Sequence, residues 1–233
     1  MPIIGDDDAA QIRTLFEERL SRDVTLVHFT QKQSKLIVPG VVPCEGCRDA
    51  VELLEELVAL DDRLTLEVHD FVGEADLARQ LGVDRIPATI VRGKDGAGDR
   101  VRLFGVPAGY EFSTLLEDIM EAGGDDVAPP AGAELLAGLD QDVHIRVFVT
   151  PTCPYCPTAV LAAHQLAFAN ERITADMVMS TEFPDLAQRF GVMAVPKTII
   201  NDTHVFEGAA PPEDLARAVL EAVGAPVPEL PGD

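Results

Sequence analysis

A chain of 233 residues allows two small domains. Its 47% hydrophobic and 25% charged residues exclude a disordered or collagen-like polymer. The 18 Lys+Arg against 40 Asp+Glu leave a formal net charge of −22, which argues against nucleic acid and anionic membranes as partners, since both demand a basic footprint. No apolar run reaches the ~20 residues of a membrane helix, and the first residues offer neither a basic nor an apolar leader segment, so a cytoplasmic location is expected.

In chain order, apolar spacing predicts a helix over residues 9–20 and a strand over 24–29. After a long connection comes Cys44-Glu45-Gly46-Cys47, at the predicted start of a helix whose stripe is Val51, Leu54 and Val58, with Leu53 and Leu57 beside it. A strand over 64–71, a helix over 74–81 and an Ile86-Pro87 junction follow. Two strands, 88–91 and 100–104, then lead to a helix over 111–121. Residues 123–132, with Asp125-Asp126 and Pro129-Pro130, break all periodicity and read as a connection. The same order then returns. A helix is predicted over 133–139 and a strand over 143–149, before Cys153-Pro154-Tyr155-Cys156 and a helix over 158–169. Next come a strand over 173–179, a helix over 185–190, the Val195-Pro196 junction, strands over 198–200 and 204–206, and a helix over 213–222.

Cys153 follows Cys44 by 109 positions, and Gly82, Val83, Pro87 and Thr89 recur at the same offset as Gly191, Val192, Pro196 and Thr198. The halves are copies of one unit, read as residues 1–124 and 125–233. Each is expected to be an α/β unit with a central mixed β-sheet flanked by helices. They differ before the cysteines: Thr30 lies 14 positions ahead of Cys44, whereas Thr150 lies 3 ahead of Cys153. The first pair should therefore be approached by a longer loop.

All four cysteines fall in these two C-x-x-C pairs, a pattern of redox or metal chemistry in a reducing compartment. A strand ending before C-x-x-C, with a helix starting at its first Cys, sets that sulfur beside unpaired N–H groups and the positive end of the helix dipole, where thiolate is favoured. The second Cys, one turn further in, has the spacing to resolve a mixed disulfide. Pro154 suits a first helical position, and Tyr155 adds bulk without charge. Cys153 and Cys44 read as the attacking thiols, Cys156 and Cys47 as the resolving ones. Glu45 puts a like charge beside the first thiolate and Gly46 loosens its turn, so Cys153 should be the more reactive.

Some 40 residues after each pair, a Pro follows a β-branched residue at the mouth of a strand, where Pro would ordinarily be a defect. Cis bonds at Ile86-Pro87 and Val195-Pro196 would leave backbone groups of Ile86 and Val195 facing the cysteines, free to pair with an extended substrate. Pro87, Pro196, Pro154 and Tyr155 complete the candidate docking surface.

This arrangement resembles the thioredoxin and glutaredoxin fold, present twice. The segments 104–112, 147–157 and 192–197 resemble the two-unit, glutaredoxin-like protein disulfide oxidoreductases. That resemblance implies thiol-disulfide exchange on protein disulfides with the second pair dominant, and a thioredoxin-reductase-like flavoprotein as electron donor.

Three rival readings remain. Four thiolates would suit zinc, but the pairs occupy equivalent places in separate units, so no metal site is expected. A glutathione-dependent glutaredoxin would usually show Thr-Val-Pro and Gly-Gly where this chain has Ala194-Val195-Pro196 and Gly208-Ala209. A non-catalytic holdase would keep the fold and only bind. No G-x-G-x-x-G follows a strand, so no nucleotide or flavin cofactor is expected.

Glu67 and Asp176, related by the 109 offset, read as a solvated strand face. Val147 stands six positions before Cys153, where thioredoxins usually carry a buried acid. The histidines read as surface or packing residues. The helix over 158–169 is apolar on nearly all faces and should pack against both units.

Overall fold

The computed structural model describes residues 2–31, 43–93, 96, 98–125 and 127–227. The long loop expected ahead of Cys44 lies largely in 32–42, outside the described residues, as does part of the turn after residue 93.

In the first half, α1 (Asp6–Arg19) is followed by β1 (Val24–Thr30), α2 (Cys47–Val58), β2 (Leu64–Asp70), α3 (Ala75–Gln80), β3 (Ala88–Arg92), β4 (Val101–Phe104) and α4 (Glu111–Gly123). The second half contains β5 (Val143–Val149), α5 (Cys156–Ala169), β6 (Ile173–Met179), α6 (Pro184–Arg189), β7 (Lys197–Ile200), β8 (His204–Glu207) and α7 (Pro212–Ala222). The helix expected over 133–139 is a single 3-10 turn, Ala133–Leu136. At the other extreme α1 begins earlier than its apolar spacing suggests, because Asp6, Asp7 and Asp8 occupy its first turn and complement the dipole there.

Each half orders its strands alike, β2-β1-β3-β4 and β6-β5-β7-β8. The central mixed sheets expected for the two units are not separate. Strand β4 pairs in parallel with β6, Val101 opposite Ala175 and Phe104 opposite Val178, giving one eight-stranded sheet. Two exposed sheet edges are removed by this pairing. Since β1, β2, β4, β5 and β6 all run in one direction, both C-x-x-C pairs follow strands that end at the same edge of the sheet.

Strand alternation sorts the core into two layers. Leu26, Val91, Leu103, Ile145, Val147 and Met177 face one side, with buried residues of α1, α2, α4, α5 and α7. Val27, Phe29, Ile90, Phe104, Phe148 and Ile199 face the other, with α3 and α6. Helix α5 is buried nearly all round, as its apolar sequence predicts, and lies against α4 of the first half and α7 of the second. Among the described residues no helix is long and apolar enough to cross a membrane.

Asp176 corrects the solvated-face reading. Glu67 is exposed, but Asp176 is buried at the seam between the halves. Its Oδ1 accepts from Arg102 Nε of β4 at 2.6 Å, its Oδ2 lies 2.5 Å from His144 Nε2 of β5, and Arg146 Nε is 4.0 Å away. Burial would raise its pKa, but the charges of Arg102 and His144 and their hydrogen bonds outweigh it and hold the carboxyl at about 2. The difference from Glu67 comes from the β4–β6 seam, which brings Arg102 opposite Asp176.

Candidate active sites

Strand β5 delivers the chain to Thr150, and a tight turn follows in which the Cys153 N–H donates to Thr150 O at 3.2 Å. The Cys156 N–H donates to Cys153 O at 3.4 Å. Helix α5 starts at Cys156 and not at Cys153, and Pro157, not Pro154, occupies its first turn. Likewise α2 starts at Cys47. In both units the first Cys therefore precedes the helix and the second opens it.

Cys153 retains 9% exposure while Cys156 is fully buried. Cys153 Sγ is 3.8 Å from the Val195 carbonyl oxygen, which places the Pro junction directly against the attacking sulfur. Both Ile86-Pro87 and Val195-Pro196 are cis. Pro196 is buried, with Ile86, Pro87 and Val195 at least partly covered. Pro154 and Tyr155 project from the rim, Tyr155 being 69% and the nearby Met193 94% exposed. Exposed apolar side chains thus flank the Cys153 turn and its Pro junction.

The Cys156 thiol is pushed up and held protonated, first by burial, then by its hydrogen bond with Cys153 and by the charges of Cys153 and Glu111. Nothing about the position of Glu111 at a helix start marks it in the sequence, since an exposed acid is ordinary there. It opens α4 of the first half and is fully buried. Its Oε2 accepts from Thr114 Oγ1 at 2.8 Å, and its Oε1 is buried without a partner. Burial, with a smaller push from Asp118, raises its carboxyl to about 7 against the opposing Thr114 bond and His164. Asp118, pushed up by burial, lies 2.8 Å from His164 Nδ1 of α5. The acid missing at Val147 is thus replaced from the opposite unit. A usable signal existed: Glu111 falls in the segment that carried the family resemblance.

The approach of the two halves here depends on Gly109. Its φ is +65°, and a Cβ would fall 2.2 Å from Pro151 O. The Tyr110 N–H donates to the same carbonyl at 3.0 Å, seating the first half's loop on the second half's redox turn.

The first pair is a disulfide, Cys44–Cys47, whereas Cys153 and Cys156 are free thiols. The Cys44 N–H donates to Gln31 Oε1 at 2.9 Å. Cys47 is buried and Cys44 partly exposed, at a groove of ≈ 490 Å³ formed by Cys44, Glu45, Ile86 and Pro87 with Thr181, Glu182 and Pro184 of the second half. Gly46 has φ −83°, which any residue adopts. The fit is close instead: a Cβ there would fall 2.5 Å from Glu182 Oε2 and 2.9 Å from Val106 Cγ2, so a larger residue would displace those side chains.

Fold and cysteines together define a tandem thioredoxin-fold oxidoreductase. A thioredoxin-domain family model matches residues 143–221. The protein disulfide oxidoreductase of Aeropyrum pernix is 30% identical, with 95% of each chain covered and a TM-score of 0.80. The NTD_N/C domain of alkylhydroperoxide reductase AhpF from Enterococcus faecalis shares the fold at 23% identity, with a TM-score of 0.81 over 92% of this chain and 99% of that one. The F component of alkyl hydroperoxide reductase from Xanthomonas campestris is 30% identical over 159 residues, 67% of this chain and 28% of that protein. The chain spans about a third of the length of such curated relatives. It belongs to the thioredoxin-fold protein disulfide oxidoreductases.

Proposed function

We propose that the chain exchanges disulfides with protein substrates, with Cys153 as nucleophile and Cys156 as resolving thiol. The observation that carries this reading is the Cys153 sulfur 3.8 Å from Val195 O on a residue that keeps 9% exposure, with Cys156 fully buried and its thiol held protonated. An extended substrate segment lies across Val195-Pro196, with Tyr155 and Pro154 bordering it. The Cys153 thiolate attacks one substrate sulfur; the substrate S–S bond breaks, a Cys153–substrate S–S bond forms, and a substrate thiolate leaves with the electron pair. Cys156 then gives its proton to Glu111, whose raised carboxyl is poised near neutrality. The Cys156 sulfur attacks Cys153 and expels the second substrate thiolate, leaving Cys153–Cys156 oxidised.

Resetting that disulfide takes two electrons and two protons. A thioredoxin-reductase-like flavoprotein in the cytoplasm is the proposed donor. The match to part of an alkyl hydroperoxide reductase supports a role in passing electrons on to a larger redox system. Cys44 and Cys47, with Ile86 and Pro87 as the docking edge, form a second redox pair. The two units divide at residues 124/125.

Insulin reduction with dithiothreitol tests the assignment using wild type and two variants, Cys44→Ser/Cys47→Ser and Cys153→Ser/Cys156→Ser. The first variant is expected to keep most activity and the second to lose it. The reverse result moves the principal site to the first unit.

A further inference from the structure

Among the described residues, the buried acids of the first unit, Glu111 and Asp118, serve Cys156 and His164 of the second half, yet another carboxylate lies against the first redox pair. Glu182 belongs to the loop between β6 and α6, in the second half. Its Oε1 accepts the Val106 N–H at 2.8 Å, from the segment following β4. Oε2 is buried and without a hydrogen-bond partner. A Cβ at Gly105 would fall 2.9 Å from Oε1, and one at Gly46 would fall 2.5 Å from Oε2. The carboxylate is therefore clamped between two glycines, with its unpartnered oxygen over the Cys44-Glu45-Gly46-Cys47 turn. A buried carboxylate oxygen without a donor costs free energy unless some state of the protein supplies one.

We propose that Glu182 is the proton acceptor of the Cys44–Cys47 pair, supplied across the seam by the second unit. The proposal rests on the redox reading of that pair given above. In the reduced protein the Cys44 thiolate attacks an external disulfide, an S–S bond forms to Cys44, and one thiolate leaves. Cys47 then gives its proton to Glu182 Oε2 and its sulfur attacks Cys44, releasing the second thiolate and restoring the Cys44–Cys47 bond. Burial raises the Glu182 carboxyl above the ordinary range, with Asp49 adding to the rise and the Val106 N–H opposing it. The charged groups near it are Glu45, which lines the same groove, and Asp49 on α2. Arg48 is held by Asp49 at 3.4 Å and Glu52 at 3.6 Å. Among the described residues lining the groove there is no cation.

Glu182 is not the symmetry copy of Glu111, because the 109 offset relates it to Gly73. Each redox pair has instead recruited a carboxylate from whichever element of the other unit the β4–β6 seam brings near.

The test uses the full chain with Cys153→Ser/Cys156→Ser, so that only the first pair reacts, and Ellman's reagent as the disulfide. Attack by Cys44 releases one thionitrobenzoate and resolution by Cys47 releases a second; stopped-flow absorbance separates the two. With Glu182 intact, the second step is expected to accelerate as pH rises through the carboxyl's raised range. Glu182→Gln, which keeps the shape and an oxygen for Val106, should slow that step about 100-fold and flatten its pH profile. Glu182→Asp should restore part of both. In the Cys44→Ser/Cys47→Ser background, Glu182→Gln should leave the Cys153–Cys156 steps unchanged. A second step within twofold of the parent with the same pH profile overturns the proposal, as does equal slowing of both pairs. Absence of any exchange at Cys44 removes the redox reading of the first pair, and the proposal with it; that result is distinguished by the missing first thionitrobenzoate.

Discussion

The two redox pairs sit at the same edge of one sheet, follow equivalent strands and face equivalent cis prolines, yet their surroundings differ. Around Cys153 the rim is apolar, formed by Tyr155 and Met193. The residue equivalent to Met193 in the first unit is Asp84, which is exposed and bonded to Arg85. Around Cys44 the groove is walled by Glu45 and by Thr181, Glu182 and Pro184 from the other half. The fold supplies the exchange chemistry twice, and the residues around each sulfur decide which partner reaches it and where its proton goes.

The largest expected effect separates the two cysteines of the second pair. Cys156→Ser should trap covalent complexes with protein substrates, detected on non-reducing gels, and Cys153→Ser should trap none. Equal trapping by both would erase the distinction between an accessible attacking thiol and a buried resolving one.

Next in size is the seam that makes the two sites neighbours. Arg102→Ala removes the main partner of buried Asp176, at a cost of about 3–5 kcal/mol in unfolding free energy at pH 7. The sign with pH follows from the depressed carboxyl of Asp176. Its contribution is full above the ordinary aspartate range and is lost as pH falls toward about 2, so wild type and variant should converge in acid. Urea unfolding at about pH 7 and about pH 3 measures this; a constant difference would show that Asp176 is not the group responsible.

Glu111→Gln comes third. It should slow resolution at Cys153–Cys156 about 100-fold and remove the rise in rate through pH about 7 that its carboxyl imposes. Stopped-flow measurements in the Cys44→Ser/Cys47→Ser background check this. An unchanged pH profile would return Glu111 to a packing role.

The rim effect is smaller. Met193→Asp gives the second site the first site's residue at that position and should raise KM for protein substrates about tenfold, the loss of roughly one partly buried apolar side chain. Small disulfides should be unaffected. If both respond alike, the exposed apolar side chains are not a docking surface. Smallest is the difference in alkylation: in the reduced protein, iodoacetamide at low pH should modify Cys153 a few-fold faster than Cys44, because Glu45 disfavours an adjacent thiolate.

Much of this comparison was already legible in the sequence. Hydrophobic periodicity is a local signal, so β1, β5, β6 and α4 fall close to their predicted bounds. The 109-residue repeat identified paired C-x-x-C and Pro elements, because duplicated units keep their turn and redox residues at fixed offsets. The starts of α2 and α5 were less legible, since helix ends depend on how the turn before them closes. Composition around the sulfurs, such as Tyr155 against Glu45, could also be read directly.

Apart from the packing of α5 on both halves, the relations between the halves were decided by the tertiary structure alone. The β4–β6 pairing leaves no mark within a single strand, because backbone groups recognise backbone groups. From it follow the burial of Asp176 against Arg102, the arrival of Glu111 near Cys156, and the seating of Glu182 over Gly46. An acid at a helix start, a glycine in a redox turn and an acid in a loop each have an ordinary local meaning. Only the packing of one unit on the other excludes water from those carboxylates, and exclusion of water changes what they do.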